Sequence, residues 1–278
     1  MPYTAEISRA NPGCFLFLID QSGSMSDPFG GAIGKRKAEG VADAINRLLQ
    51  NLVIKCTKGE GVRDYFDVGV IGYGSKVGPA FSGSLSGRTL VKISEIASSP
   101  ARIEERTRKI ENGAGGLVEQ KVKFPVWFDP IASGGTPMCQ ALKLAYQLLQ
   151  EWISQHPNSY PPIVINITDG EATDGNPLPY AQGLSKLSTS DGNVLVFNCH
   201  ISSYSASPIV FPDSESGLPD EYAKLLFQMS SILPESIRET AEAEGYIVSE
   251  QSRGFAFNAD LVELIRFLDI GTRPSNLR

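Results

Sequence analysis

A short, continuously apolar run near the start of the chain limits the possible folds more than any other feature. Residues 14–19 read Cys-Phe-Leu-Phe-Leu-Ile and are bounded by Pro12-Gly13 and by a polar run that begins at Asp20. A run of this length that is apolar throughout is typical of a strand buried on both faces, as in a parallel sheet. Residues 163–167, Ile-Val-Ile-Asn-Ile, have a similar character. The sequence therefore predicts an α/β protein.

Amphipathic helices alternate with the predicted strands. Apolar residues recur at every third or fourth position from Lys35 to Lys55, and again in a helix that follows Pro137 and ends near Gln155. Further strands are expected at 66–73, 194–197 and 254–257, and further helices at 179–187, 222–229, 234–244 and 261–268. This alternation predicts right-handed βαβ units in a doubly wound, mostly parallel, Rossmann-like sheet with helices on both faces. A hairpin from the strand at 66–73 into residues 76–81 adds one antiparallel edge strand.

One domain is expected over residues 1–278, with a core at about 12–270 and a less regular insertion at 82–131. Within the insertion we expect helices at 90–97 and 101–110, followed by a flexible break at Asn112–Gly116. Aromatic residues gather from Phe124 to Phe128, around Pro125. A proline in that run argues against a central strand.

Composition excludes several functional classes. The chain has 278 residues and a formal net charge of -6, so it offers no basic surface for nucleic acid. The short basic run Lys35-Arg36-Lys37 is expected to be the solvated first turn of a helix. The four cysteines are scattered, which disfavours a zinc site or a disulfide framework. No run is apolar enough to span a bilayer, and the start lacks the pattern of a secretory signal, so we expect a cytoplasmic protein without a membrane partner.

Hydroxyl and carboxylate side chains follow the ends of the predicted strands. The first strand runs into Asp20-Gln21-Ser22-Gly23-Ser24, Thr136 follows a double-glycine loop, and the strand at 163–167 runs into Thr168-Asp169-Gly170. In doubly wound sheets, ligands bind beyond the carboxyl ends of the strands. Two carboxylates and three hydroxyls are hard oxygen donors, which suit Mg²⁺ or Mn²⁺. Taken singly, each of these residues also fits a helix cap or a turn.

The whole set resembles a known binding site. The chain contains Asp20-x-Ser22-x-Ser24 after an apolar strand, then Gly-Gly-Thr136, and then Ile-Thr-Asp169-Gly. This order of motifs is similar to that of the metal-ion-dependent adhesion site of von Willebrand factor A domains. The resemblance covers residues 12–270. It implies that Ser22 and Ser24 bind the metal directly and that Thr136 binds it directly in one state and through water in another.

The same resemblance implies that Asp20 and Asp169 act mostly through water or hold the hydroxyls in place. Because few carboxylates bind the metal directly, its positive charge is then only partly neutralised. The resemblance implies that an Asp or Glu of a protein partner completes the coordination shell. Stand-alone domains of this family resemble bacterial proteins that work with kinases, phosphatases or AAA-type ATPases in stress response. This analogy names no particular partner.

Two neighbouring features have open interpretations. Glu171 and Asp174 follow Asp169 and could add negative potential or hold a second ion, although solvation at the surface is the simpler expectation. The aromatic segment Phe124–Phe128 precedes the Thr136 loop and could form a rim that selects the partner, or it could be buried in the core.

The sequence favours a binding module over an enzyme. It contains no G-x-S-x-G motif, and Gly30–Arg36 departs from the phosphate-binding loop because Arg36 stands where Ser or Thr is required. Both histidines, His156 and His200, are expected to be structural or solvated. The enzymatic alternative is a Mg²⁺-dependent phosphoryl hydrolase or transferase with Asp20 as the nucleophile. That chemistry usually needs a second acid and a lysine for the phosphate.

Overall fold

The computed structural model describes residues 3–30, 34–59, 61–111, 117–203 and 207–273. The strands are β1 Gly13–Asp20, β2 Thr57–Lys58, β3 Gly61–Val62, β4 Phe66–Tyr73, β5 Val77–Pro79, β6 Val91–Lys92, β7 Arg102–Glu111, β8 Leu117–Val126, β9 Ile163–Thr168, β10 Ser188–Thr189, β11 Gly192–Asn193, β12 Leu195–Ile201, β13 Ile209–Val210 and β14 Phe255–Ala259. The α-helices are α1 Lys37–Cys56, α2 Ile93–Ser98, α3 Met138–Gln155, α4 Leu178–Leu184, α5 Glu221–Gln228, α6 Glu235–Ala243 and α7 Leu261–Gly271.

The central sheet has eight strands and is mostly parallel. Its order is β13-β14-β12-β9-β1-β4-β5, and β6 pairs with β4 beside β5. Strands β14, β12, β9, β1 and β4 run parallel to one another. The predicted α/β class with a mostly parallel sheet is confirmed. The expected antiparallel edge strand is β5, and β6 and β13 are two further short antiparallel strands.

Strand β1 pairs with β4 on one side and with β9 on the other, and all of its residues are buried. It therefore lies in the middle of the central sheet. Phe15, Phe17 and Ile19 face a core shared with α1, α2, α6 and α7. Leu16 and Leu18 face a second core shared with α3, α4 and α5. Helices therefore cover both faces of the sheet. No helix within the described ranges is both long and apolar enough to cross a membrane.

The polar residue inside the predicted strand at 163–167 is paired within the core. Asn166 Oδ1 accepts a hydrogen bond of 2.7 Å from the Tyr73 hydroxyl, and its Nδ2 donates one of 3.0 Å to Asn198 Oδ1. A buried amide without partners would cost about 1–3 kcal/mol. These bonds explain why a polar residue is tolerated between apolar neighbours.

The predicted helix over 101–110 is wrong. Residues Arg102–Glu111 form β7, which pairs in antiparallel register with β8 over ten residue pairs, outside the central sheet. Glutamate, arginine and lysine favour helices locally, but cross-strand pairs stabilise the ribbon. Glu105 faces Lys123 in register and forms an ion pair with Lys121 across the strands, Nζ to Oε2 3.3 Å. The break expected at 112–116 lies outside the described residues.

Candidate metal site at the carboxyl edge of the sheet

The candidate site lies where the direction of strand order reverses. Strand β1 pairs with β4 on one side and with β9 on the other. Such a reversal leaves a crevice at the carboxyl ends of the strands, which is where ligands bind in open α/β sheets. Asp20 is the last residue of β1, and Asp169 directly follows β9. The topology therefore brings together two carboxylates that are 149 positions apart in the sequence.

Asp20 is buried and fixed from both sides. Its Oδ1 accepts a hydrogen bond of 2.8 Å from the backbone N–H of Ser22, and its Oδ2 accepts one of 2.8 Å from the Thr168 hydroxyl. Burial raises the pKa of Asp20 to about 6, against the opposing effect of its hydrogen bonds with Ser22. The negative charge of Asp169 raises it further. A cation placed beside Asp20 would stabilise its ionised form.

The two serines form a connected pair of hydroxyls. Ser22 Oγ lies 3.0 Å from Ser24 Oγ, and Ser24 Oγ donates a hydrogen bond of 2.8 Å to Asp169 Oδ1. Ser22 is the N-cap residue of a short 3-10 turn, Gly23–Ser26, but makes no side-chain capping bond there. The sequence allowed Ser22 to cap a helix or turn, but its hydroxyl contacts Ser24 instead. Ser24 is exposed, so this part of the site is open to solvent.

The loop that carries Thr136 is attached to the Asp20–Ser24 segment through its backbone. Gly134 O accepts a hydrogen bond of 3.0 Å from Gly23 N–H, and Ser133 N–H donates one of 2.7 Å to Gln21 O. Gly134 has a φ of +85°, and a Cβ atom there would lie 2.4 Å from Ser75 N. The double-glycine loop can approach its neighbours this closely only because position 134 has no side chain.

Thr136 is buried next to this contact and does not cap helix α3. Asp174 takes that role, because its Oδ1 and Oδ2 accept hydrogen bonds from the backbone N–H groups of Cys139 and Gln140 at 3.0 and 2.9 Å. Thr173 Oγ1 accepts the Thr136 N–H at 3.0 Å. Asp174 is therefore held at the start of α3 by its two backbone contacts. Glu171 is exposed, as the solvated interpretation predicts.

The prediction that Lys35–Lys37 is a solvated turn is wrong for Lys37. Only 5% of Lys37 is exposed, and its Nζ lies 2.8 Å from Asp169 Oδ2. The amphipathic pattern of α1 gave no sign of this contact, since Lys37 is the first residue of the helix and its partner is 132 positions away. Lys37 and Thr168 each contact a predicted metal ligand, and the sequence analysis assigned neither of them to the site. Thr168 could have been noticed, because it precedes Asp169 at the end of a buried strand.

His200 lies at the end of β12, beside the site, in an aromatic environment. Its ring stacks on Phe257 at a centroid distance of 4.3 Å and meets Tyr222 edge-on at 5.8 Å. Burial lowers the pKa of His200 to about 4, against the opposing effect of the nearby Asp169. Its Nδ1 accepts a hydrogen bond of 3.2 Å from the backbone N–H of Asn258. His200 therefore has the structural role that the sequence predicted.

The aromatic segment Phe124–Phe128 does not form a rim around the site. Trp127 and Phe128 are buried in the core that includes α1, and the Trp127 indole donates a hydrogen bond of 2.7 Å to Ile96 O. The guanidinium of Arg106 covers the ring of Phe124 at 3.7 Å. Trp127 and Phe128 are therefore buried in the core, as one of the two interpretations of the segment predicted. Their side chains are not available at the surface to select a partner.

The donor atoms at this edge fit a small divalent cation. Asp20, Ser22, Ser24, Thr136 and Asp169 supply carboxylate and hydroxyl oxygens, which are the hard ligands that Mg²⁺ and Mn²⁺ prefer. Among the described residues, no three His, Cys, Asp or Glu side chains come together to hold a metal. A metal here would therefore depend on the serine and threonine hydroxyls and on water, and the ordinary capping roles of Ser22 and Thr136 do not account for their placement.

Comparisons with known proteins leave the family open. No protein-family model and no curated protein matches the chain. Solved structures that match include the vWF domain of the type V pili tip protein Mfa5 from Porphyromonas gingivalis (16% identity, TM-score 0.30) and the ArnB paralog VWA2 from Sulfolobus acidocaldarius (14%, 0.35). The PilB minor pilin from Streptococcus sanguinis is similar over more of the chain (12%, 0.46).

These three alignments cover 58%, 70% and 98% of this chain, and 39%, 36% and 62% of the matched chains, respectively. The chain thus spans less than two thirds of the length of each. At these TM-scores and identities, the likenesses establish neither a family nor a function.

Proposed function

We propose that this chain is a metal-dependent protein-binding module with a site of the von Willebrand factor A type. Asp20, Ser22, Ser24, Thr136 and Asp169 would hold Mg²⁺ or Mn²⁺. The observation that carries the proposal is the connected set of oxygens at the strand-order reversal, in which Ser24 links Ser22 to Asp169 at 3.0 and 2.8 Å. An ordinary turn would satisfy these hydroxyls with backbone groups, as Ser26 does with Gly23 O at 2.7 Å.

The chemistry of the donor set supports recognition of an acid. Asp169 already shares its charge with Lys37, and hydroxyl ligands contribute no charge, so a bound divalent cation would keep part of its positive charge. An Asp or Glu of a partner could then complete the coordination shell through a charge-assisted contact. The exposed Ser24 marks the side from which that carboxylate would approach.

The environment of Asp20 supports binding over phosphoryl chemistry. A nucleophile must reach phosphorus, but Asp20 is fully buried and both of its oxygens accept hydrogen bonds from the chain itself. The lysine that such chemistry needs is near, yet Lys37 is buried against Asp169. We therefore propose a non-enzymatic role. Hydrolysis of p-nitrophenyl phosphate that requires Mg²⁺ and is lost in Asp20→Asn would contradict this role.

The cellular setting is also part of the proposal. Four buried, unpaired cysteines suit a reducing compartment, so we place the module in the cytoplasm. By the analogy drawn from the motif, its partner belongs to a bacterial stress-response or signalling system and is a kinase, a phosphatase or an AAA-type ATPase. The acidic net charge of -6 gives no support for nucleic acid as a partner.

The first experiment tests the metal site itself. Mg²⁺ and Mn²⁺ are titrated by calorimetry into the wild type, into the double variant Ser22→Ala/Ser24→Ala, and into Ser26→Ala. We expect saturable binding with one ion per chain in the wild type and in Ser26→Ala, and none in the double variant. Ser26 is the matched control because it lies in the same loop and its hydroxyl donates a hydrogen bond to the backbone at Gly23 O. Equal binding in all three proteins would exclude the site.

The second experiment tests recognition of a carboxylate. The Mn²⁺ titration is repeated in sodium glutamate and in sodium chloride at the same ionic strength. If a partner's acid completes the shell, glutamate displaces water from the bound Mn²⁺, and the water-proton relaxation rate of the complex falls. A relaxation rate that is the same in the two salts would contradict the recognition of an acidic side chain.

A further inference from the structure

Lys37 is a buried cation whose ammonium group pairs with one carboxylate oxygen of Asp169, a predicted metal ligand. The side chains of Lys37 and Asp169 are 6% and 0% exposed, and their Nζ–Oδ2 distance is 2.8 Å. The lysine is held at its own backbone as well, because Lys37 N–H donates a hydrogen bond of 2.9 Å to Asp27 O. A fixed, buried lysine cannot swing out into solvent as a surface lysine does. The ion pair of Lys37 with Asp169 is therefore a fixed, buried contact of the site.

The two oxygens of Asp169 have separate partners. Oδ1 accepts the Ser24 hydroxyl at 2.8 Å, on the side of the serine pair, and Oδ2 accepts the Lys37 ammonium. Asp27 Oδ2 lies 3.9 Å from the same Nζ and is on a side chain that is 57% exposed, so it is a weaker competitor for the lysine. A metal next to the serines would meet Asp169 through Oδ1 alone.

We propose that Lys37 determines which divalent cation the site accepts, by restricting Asp169 to a single metal-facing oxygen. This inference rests on the proposed metal site. Ca²⁺ takes six to eight oxygens and often gains them from carboxylates that bind through both oxygens, whereas Mg²⁺ takes six and uses carboxylates through one. Lys37 is thus a positioning residue that selects against Ca²⁺.

The ratio of two affinities tests this role. Mg²⁺ and Ca²⁺ are titrated by calorimetry into the wild type, Lys37→Met and Lys37→Arg. Both ions carry the same charge, so the loss of the lysine charge changes the two affinities alike, and only a change in the geometry of Asp169 changes their ratio. We expect Lys37→Met to shift the ratio towards Ca²⁺ by about tenfold or more. Lys37→Arg keeps a charged donor and should retain the wild-type ratio.

The outcomes separate this inference from the proposed function. Wild-type binding of Mg²⁺ with the same ratio in Lys37→Met would overturn the role of Lys37 and leave the metal site intact. A wild type that binds neither ion, beside a Lys37→Met variant that binds Ca²⁺, would overturn the proposed function and support the role of Lys37. Absence of binding in every variant would overturn both. A purely structural ion pair would lower the stability of Lys37→Met and leave the ratio unchanged.

Removal of one partner from a buried ion pair can prevent folding, so a measurement on the wild type is needed as well. Infrared difference spectra of protein with ¹³C-labelled aspartate distinguish carboxylates that bind a metal through one oxygen from those that bind through two. We expect the one-oxygen form with both Mg²⁺ and Ca²⁺ in the wild type. A two-oxygen aspartate signal with Ca²⁺ in the wild type would overturn the inference.

Discussion

The charge of the Asp20 carboxyl depends strongly on its surroundings. Burial raises its pKa to about 6 from an ordinary 3.8, so the folded protein holds a proton there that the unfolded chain releases near pH 4. A raised carboxyl pKa stabilises the fold below the unfolded value, and this stabilisation is lost as the pH rises through about 6. The difference between the two pKa values corresponds to about 3 kcal/mol.

Replacement of Asp20 by asparagine should remove this dependence on pH. In EDTA, we expect the stability of the wild type relative to Asp20→Asn to fall by up to about 3 kcal/mol from pH 4 to pH 7, because only the wild type must ionise a buried group. Urea unfolding at several pH values measures the difference. A difference that is constant with pH would show that Asp20 does not titrate in this range.

Gly134 fixes the position of the Thr136 loop. In Gly134→Ala, the φ of +85° and a Cβ only 2.4 Å from Ser75 N would force the loop away from its neighbour. We expect a loss of roughly 2–4 kcal/mol in stability, together with weaker Mg²⁺ binding. Gly87→Ala is the matched control, since Gly87 has a φ of +81° but no atom within 4 Å of an added Cβ. It should cost about 1 kcal/mol and leave Mg²⁺ binding unchanged.

At the scale of single residues, local sequence predicted four members of the candidate site, since Asp20, Ser22 and Ser24 lie at or after the end of β1 and Asp169 follows the neighbouring strand β9. Thr136 follows a double-glycine loop, and no described strand of the central sheet leads into it. The sequence did not contain the contact between Lys37 and Asp169, because burial of a helix-terminal lysine depends on which strand end lies opposite it. Nor did it show that Asp174 caps α3. Both contacts join residues more than 30 positions apart, and their side chains are also common at protein surfaces.

At the scale of elements, α1 anchors the end of the β7–β8 ribbon through one buried amide. Asn46 Oδ1 accepts hydrogen bonds of 2.8 and 3.0 Å from the N–H groups of Trp127 and Phe128, and its Nδ2 donates one of 2.8 Å to Phe128 O. Trp127 and Phe128 follow the end of β8 at Val126, and an isolated antiparallel bridge joins Phe128 to Phe81. A single side chain therefore satisfies three buried backbone groups.

Loss of this amide should be costly. For Asn46→Ala, we expect a loss of roughly 3 kcal/mol in the free energy of unfolding, because three buried backbone groups lose their partner. Arg47→Ala, on the exposed side of the same helix, should change stability by less than about 0.5 kcal/mol. Denaturant unfolding of both variants measures the two effects. An Asn46→Ala protein as stable as Arg47→Ala would show that water replaces the amide.

The elements differ in how far local pattern predicts them. Strands β1, β4 and β9 are buried on both faces, so their apolar runs identify them without knowledge of their neighbours. Strand β7 is mostly polar, and its pairing with β8 is decided by contacts across the ribbon that no local pattern contains. The two-residue strands, such as β6 and β13, are too short to have a periodicity at all.

At the scale of the whole molecule, the β7–β8 ribbon is joined to the rest of the described structure mainly at its base. It forms its own two-stranded sheet, and its outer ion pair of Lys121 with Glu105 is largely exposed. The inner ion pairs of Arg106 with Asp43 and Glu104 are partly exposed, and pairs of this kind contribute at most about 1 kcal/mol. The apolar contribution to the core comes from Val126, Trp127 and Phe128, at the base.

Most of the ribbon should therefore be removable without loss of the fold or the site. We propose a deletion of residues 105–123 in which Glu104 and Phe124, which face each other in register, are joined by an Asn-Gly turn. We expect cooperative thermal unfolding within about 5 °C of the wild type and unchanged Mg²⁺ binding. A deletion of 105–128 also removes the buried base and should abolish cooperative unfolding. If the shorter deletion also unfolded without cooperativity, the ribbon would be part of the folding unit that supports the metal site.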